Sequence, residues 1–340
     1  MNLYRKIIVE NKIENYAHCK KAKLDLSLIN GPYIWDIDFD KIVNETGVLI
    51  FQKYAEPPED RDLIKLISEY ENVPEDFIML TPGADIGIEL VYRQFIENGD
   101  SACIVIPTFP RFEIVLSTIS EVAIEYKQRL NEIDKDYKLI CLCTPNNPTT
   151  KQLDRTELER LIEKRQRSLV CIDSVFERYG DYKVVDLCKK YINVVVLKSF
   201  SKIGLAGLRL GYVISNPENI RYLRIGQSPF PVSLMSQKAG VQIVHQFDKL
   251  KKFDQIVENS FTQIKSALND KVTRGSRVPF YLLTTKVDST KAVHELNNCG
   301  ISVVDGKNFR GLGNNSLRVA LGSEEENELF IRSITDCQIV

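Results

Sequence analysis

With 340 residues, the chain is long enough for one large domain or two smaller ones with substantial cores. Its 45 basic and 46 acidic residues leave a net charge near −1, which gives nucleic acid or an anionic membrane no electrostatic hold as the main partner. His18, His245 and His294 are too scattered for a metal or catalytic cluster. The eight cysteines show no C-x-x-C pair and no secreted disulfide spacing, so they are expected as reduced thiols.

Residues 1–45 are expected to form an arm. Met1 to Lys23 is charged and lacks the apolar centre of a signal peptide, and no apolar run is long enough to span a membrane, so a cytoplasmic protein is expected. Leu24 to Pro32 alternates like a short strand and then turns. Tyr54 to Glu59 is a rigid loop before a helix at about Arg61 to Tyr70, with Leu63, Ile64, Leu66 and Ile67 inward. A strand at Phe77 to Leu80 runs into Thr81-Pro82-Gly83-Ala84-Asp85. Ile86, Leu90, Val91 and Phe95 then give a helical stripe, and a glycine turn at a helix start can bind an anion.

Apolar strands follow at Ala102 to Ile106, Leu139 to Cys143, Leu169 to Asp173 and Val194 to Leu197, separated by helical patterns. One helix opens at a capping-box sequence, Asp154 to Glu157. Such alternation predicts an α/β fold with a mostly parallel sheet covered on both faces. Polar residues collect where the strands end, at Asp85, Asn147, Asp173 and Lys202, and open α/β sheets bind ligands at those ends. Beyond Pro231 the pattern is helical to about Asn269. Phe280 to Leu283, Ile301 to Val304 and Leu317 to Leu321 then form a small α+β unit, and Ser323 caps the last helix.

The stretch from Val195 to Tyr212 carries the chemistry. A β-branched run stops at Ser199-Phe200-Ser201-Lys202, Arg209 follows seven residues later, and a second apolar run begins at Leu210. A lysine walled by apolar sequence can lose enough hydration to become a nucleophilic amine. Ser201 and Arg209 supply an anion site beside it. Lysine plus anion site suggests pyridoxal 5'-phosphate bound as a Schiff base; a solvated lysine on a surface loop is the competing reading.

Together, Pro82-Gly83-Ala84-Asp85, Thr144-Pro145-Asn146-Asn147-Pro148-Thr149, Asp173, Ser201-Lys202, Gly204 to Tyr212 and Leu317-Arg318-Val319-Ala320 make the chain, from about Leu24 to Ile331, resemble the fold-type-I pyridoxal-phosphate enzymes. The resemblance is to the branch of histidinol-phosphate aminotransferase and threonine-phosphate decarboxylase. It implies an arm at 1–45, a large cofactor-binding domain at 46–245 and a small α+β domain at 246–340. Lys202 would carry the cofactor and shuttle the proton, while Asp173 would pair with the pyridine nitrogen. Asn147 would bond the phenolic oxygen and Phe109 would stack on the ring. Ala84, Asp85, Ser201 and Arg209 would hold the phosphate. Tyr54 would reach the phosphate of a neighbouring subunit in a homodimer, and Arg318 and Asn30 would bind substrate.

The chain departs from that pattern at four positions. Phe176 stands where many relatives have a tyrosine, as it often does in the decarboxylases. Ser174 replaces a usual glutamate. Thr150 replaces a usual glycine, so that turn is expected to differ. Val304 replaces an arginine that binds substrate phosphate, with Lys307 or Arg310 as possible substitutes. The expected activity is amino transfer between an amino acid or amino alcohol, phosphorylated or not, and an oxo acid. The alternative is decarboxylation of a phospho-amino acid. A sensor module without turnover is a third reading, disfavoured because Lys202, Asp173 and Arg209 are all present.

Overall fold

A computed structural model describes residues 22–47, 52, 54–55, 59–119 and 121–340; residues 1–21 of the expected arm, with His18 and Cys19, and residues 56–58 of the loop after Tyr54 lie outside it. The first elements are β1 (Leu24–Asp25), α1 (Phe39–Thr46), α2 (Arg61–Glu71), β2 (Ile78–Thr81) and α3 (Ala84–Phe95). Next come β3 (Ser101–Val105), α4 (Arg111–Ile119), β4 (Ala123–Lys127), β5 (Leu139–Cys143), α5 (Arg155–Lys164) and β6 (Leu169–Asp173). Then follow α6 (Leu187–Lys190), β7 (Val194–Ser199), β8 (Gly211–Ser215), α7 (Pro217–Gly226), α8 (Leu234–Val244) and α9 (Leu250–Leu268). The chain closes with β9 (Val272–Thr273), β10 (Phe280–Thr284), α10 (Ser289–Asn298), β11 (Ile301–Ser302), β12 (Val304–Asp305), β13 (Ser316–Ala320) and α11 (Glu324–Asp336).

The central sheet has seven strands in the order β2-β8-β7-β6-β5-β3-β4. Every pairing is parallel except the two made by β8. β5, β6 and β8 are buried at every residue, as expected of strands covered on both faces. Successive side chains enter opposite cores: Ile140 and Leu142 join one, and Leu139, Cys141 and Cys143 the other. The two thiols of Cys141 and Cys143 thus share a face. Among the described residues no His, Cys, Asp or Glu group is placed to hold a metal.

The stripe on α3 is rotated from its expected position. Ala84, Ile88, Leu90, Val91 and Tyr92 are buried, whereas Ile86 is 37% exposed. The helix meets the sheet at Gly87, where a Cβ would sit 3.1 Å from Leu197 and 3.3 Å from Val213. That contact turns Ile86 outward.

The C-terminal unit is an antiparallel sheet in the order β12-β13-β10-β9, packed with α10 and α11. The arm joins it: β1 pairs in parallel with β11, and Leu24 and Leu26 enter the same core. The run from Ile301 to Val304, expected as one strand, is two. It leaves β1 after Ser302, buries Val303, and pairs with β13 from Val304. Ser323 caps α11 in a full capping box with Glu326, and Asp154 caps α5 through the Glu157 amide.

Candidate active site

The parallel strands β3, β5, β6 and β7 all end at one rim. Because β8 runs the other way, its amino end meets the same rim, with Gly211 paired to Thr81 and Ser199. That reversal brings Arg209 to the start of α3. A cavity of about 480 Å³ opens there, and Ala84, Asp85, Phe109, Asn147, Asp173, Ser201, Lys202, Arg209 and Arg318 all line it. Two expected residues lie elsewhere. Asn30 is exposed, and the wall nearby is made by Ser27, Leu28 and Ile29. Tyr54 is 70% exposed and stacks on Phe230 at 4.3 Å between ring centroids, outside the cavity of its own chain.

At one end of the cavity, α3 begins at Gly83 without a side-chain cap, so its first amides remain available. The Arg209 guanidinium lies across this turn, 2.9 Å from where a Cβ on Gly83 would sit, and leans on the Pro82 carbonyl at 3.5 Å. The Ser199 hydroxyl accepts from the Ser201 amide at 3.0 Å, and the two hydroxyls lie 2.9 Å apart. Unpaired amides, a guanidinium and hydroxyls together form an anion cradle.

Lys202 and Asp173 occupy the middle. Burial pulls the Lys202 amine down to about 8, the positive charges of Arg318 and Arg209 pull the same way, and Asp173 opposes them. Burial pushes the Asp173 carboxyl up to about 6, against a bond from the Val175 amide and the charge of Lys202. Phe176 is buried, with its ring centroid 5.9 Å from the Lys202 ammonium.

At the other end Arg318 is 3% exposed. It donates to Asn147 Oδ1 at 3.4 Å and to the Ser27 carbonyl, while its Nε has no partner among the described residues. Val304 is its direct cross-strand neighbour. Neither proposed substitute reaches this cavity. Lys307 pairs with Asp288 at 2.7 Å and Arg310 with Glu113 at 2.6 Å, both beside a neighbouring cavity of about 310 Å³ that shares the Phe109 wall.

The other departures have physical accounts. Thr150 adopts a left-handed backbone, with φ +62°. Its amide donates to the Asn146 carbonyl at 2.7 Å, and its hydroxyl and carbonyl accept from Gly275 (2.6 Å) and Ser276 (2.8 Å). These bonds offset the roughly 1–3 kcal/mol that such a conformation costs a residue with a Cβ. Ser174 lies 3.4 Å from Glu177, and that carboxylate, with Glu71, clamps the buried Lys198 ammonium. Burial pushes Glu71 up, but Lys198 and Lys183 outweigh it and hold Glu71 below the usual carboxylate range.

Arg111, which the sequence did not single out, also lines the cavity. It is held by Asp85 at 2.8 Å and Glu89 at 2.9 Å, two carboxylates one turn apart on α3. That spacing opposite a Pro-Arg helix start was the available signal.

An orphaned guanidinium nitrogen, a cationic cradle and, between them, an amine with a buried carboxylate fit pyridoxal phosphate and the carboxylate of an amine substrate. Residues 50–334 match the family described as aminotransferase class I and II. The chain is 31% identical over 321 residues to the histidinol-phosphate aminotransferase of Methanocaldococcus jannaschii, covering 87% of this chain and 84% of that one. The solved histidinol-phosphate aminotransferase from Sinorhizobium meliloti, in complex with pyridoxal-5'-phosphate, is similar with a TM-score of 0.82 at 18% identity, over 97% of this chain and 93% of that one. L-threonine-O-3-phosphate decarboxylase from Porphyromonas gingivalis is similar with a TM-score of 0.74 at 22% identity, over 92% and 99%. The chain belongs to the class I and II aminotransferases, which are pyridoxal-phosphate-dependent transferases.

Proposed function

We propose that the protein moves an amino group between an amino acid or amino alcohol and an oxo acid, with Lys202 as the amine that carries the cofactor as a Schiff base. The observation that carries this reading is the meeting of Lys202, Asp173, Arg209 and Arg318 in one cavity. The cofactor, when bound, supplies an electron sink for the carbon that loses its proton. The remaining work falls to the protein's own groups. Arg209, Ser201 and the first amides of α3 would hold the phosphate, and Phe109 would lie against the ring. Asp173 would pair with the ring nitrogen, and Asn147 would donate to the phenolic oxygen. Arg318 would hold the substrate carboxylate, and the Lys202 amine would take and return the proton at the substrate carbon.

Tyr54, exposed and stacked on Phe230, supports a homodimer in which it reaches the partner's cofactor phosphate. Decarboxylation of a phospho-amino acid is the lesser reading; Phe176 favours it, while the family and the 31%-identical relative favour transfer. The test is absorption spectroscopy of the pyridoxal-phosphate-loaded protein, titrated with amino acids, amino alcohols and their phosphates, with products weighed by mass spectrometry. Conversion to pyridoxamine phosphate with release of a carbonyl product supports transfer. Loss of carbon dioxide with the cofactor unchanged overturns it.

A further inference from the structure

The turn that carries Lys202 is held at its end by two aromatic side chains distant in sequence. The short 3-10 helix Phe200–Ile203 stops at Gly204, whose backbone is left-handed with φ +83°. Beyond that point no helical amide continues the turn, so its last carbonyls need other donors. The Tyr179 hydroxyl donates to the Lys202 carbonyl at 2.5 Å, and the Trp35 indole N–H donates to the Ile203 carbonyl at 2.6 Å. Both rings are only 2% exposed. They approach from different parts of the chain. Tyr179 ends the turn that starts just beyond Asp173, and Trp35 belongs to the arm.

Each donor is itself fixed. The Arg178 guanidinium lies 4.8 Å from the Tyr179 ring centroid and is locked by two bonds to Asp254, at 2.6 and 3.0 Å. The arm passes so close to the lysine turn that a Cβ on Gly204 would sit 2.4 Å from the Pro32 carbonyl. Glu177, in the same turn as Tyr179, clamps Lys198 at the end of β7. The strand end bearing Asp173 and the strand end bearing Lys202 are therefore tied twice by one short turn.

We infer that Tyr179 and Trp35 are positioning residues for Lys202, fixing the backbone from which its side chain enters the cavity. The inference rests on the reading of Lys202 as the cofactor-carrying amine. A side chain that must meet a carbonyl carbon, and later a proton, at defined positions gains from a fixed starting point, because small misplacements of a reacting group cost rate steeply. Ordinary core packing asks only that each buried polar hydrogen find some acceptor; here both find consecutive carbonyls of this one turn.

The test uses full-length protein stripped of cofactor. Pyridoxal phosphate is added, the adduct is fixed with borohydride, and its position and rate of formation are read by mass spectrometry across pH. Tyr179→Phe removes one hydroxyl and Trp35→Phe removes the indole donor, while thermal melting reports whether each variant folds. Capture on Lys202 is expected to slow about tenfold or more in each folded variant, with its pH midpoint moved from near 8 toward the ordinary lysine value. In the loaded enzymes kcat should fall while KM for the amine stays within about twofold. Wild-type capture on Lys202 with unchanged rates and midpoint in either folded variant overturns the positioning role alone. Wild-type capture on another lysine overturns the role and the reading of Lys202 beneath it. Trp35 is the single tryptophan of the chain, so its fluorescence gives a second measurement on unmutated, cofactor-free protein. Emission shielded from acrylamide supports the buried clasp, and emission quenched as readily as that of free indole counts against Trp35.

Discussion

Val304 stands directly opposite Arg318 across the antiparallel pair β12–β13, so the residue beside the buried guanidinium is an aliphatic side chain. Arg318 lines this end of the cavity, and its buried Nε has no partner among the described residues. Arg318→Ala should therefore raise KM for a carboxylate-bearing amine by about ten- to a hundredfold, with a smaller change in kcat. Steady-state kinetics with an amino acid and its amino alcohol check this: the alcohol, which lacks the carboxylate, should be little affected. Val304→Arg adds a second guanidinium at the same place. It should improve kcat/KM for a phosphate-bearing amine relative to its unphosphorylated form.

The Lys202 amine, lowered to about 8, makes cofactor capture by the stripped protein pH-dependent. Only the neutral amine attacks a carbonyl, so the capture rate should climb as pH rises through that value and level off above it. Arg318→Ala removes a positive charge that lowers the lysine, and the midpoint should move up. Asp173→Asn removes a negative charge that raises it, and the midpoint should move down. Stopped-flow absorbance across pH measures both directions.

Lys198 separates two buried carboxylates, Glu71 and Glu177. Lys198→Met leaves Glu177 without its cation and Glu71 with Lys183 alone, and should destabilise the fold by about 3–5 kcal/mol at neutral pH. Loss of Lys198 removes the largest charge that offsets the burial of Glu71, so the folded-state value of Glu71 rises relative to the parent protein. Relative to the parent, the variant should then lose stability as pH rises through the raised value. Thermal melts at several pH values, set against the parent protein, should show the gap widening toward alkaline pH.

Thr150 offers a test of competing backbone and side-chain effects. Thr150→Ala keeps a Cβ on a left-handed backbone but loses the bond from the Gly275 amide, and should cost about 1–2 kcal/mol. Thr150→Gly loses the same bond and relieves the backbone. Chemical denaturation should therefore rank the glycine variant above the alanine variant, by about 1 kcal/mol.

The sheet and its rim were legible in sequence because each depends on local pattern. Apolar runs such as Leu139 to Cys143 and Leu169 to Asp173 end abruptly in polar residues, and strand ends are where an α/β sheet opens. What escaped depends on contacts between distant segments. The outward turn of Ile86 follows from Gly87 meeting Leu197 and Val213, which no helical periodicity encodes. The break at Val303 exists because its two sides answer to different partners, β1 and β13. Arg111 and Trp35 gain their places only when their segments meet α3 and the lysine turn. Lys307 and Arg310 have suitable charge near Val304 in sequence, but Asp288 and Glu113 had already claimed them.

The parallel pairing of β1 with β11 also sets an order of events during synthesis. Leu24 and Asp25 leave the ribosome before the central sheet, yet their partners Ile301 and Ser302 emerge only after it. Meanwhile the seven strands of the central sheet, complete by Ser215, can already condense. The early segment must wait until β11 is released. Ser27, whose carbonyl braces Arg318, is anchored only then. A nascent protein still lacking β11 would therefore hold a formed sheet with an unfinished substrate end, and the arrival of β11 is the step that closes the site.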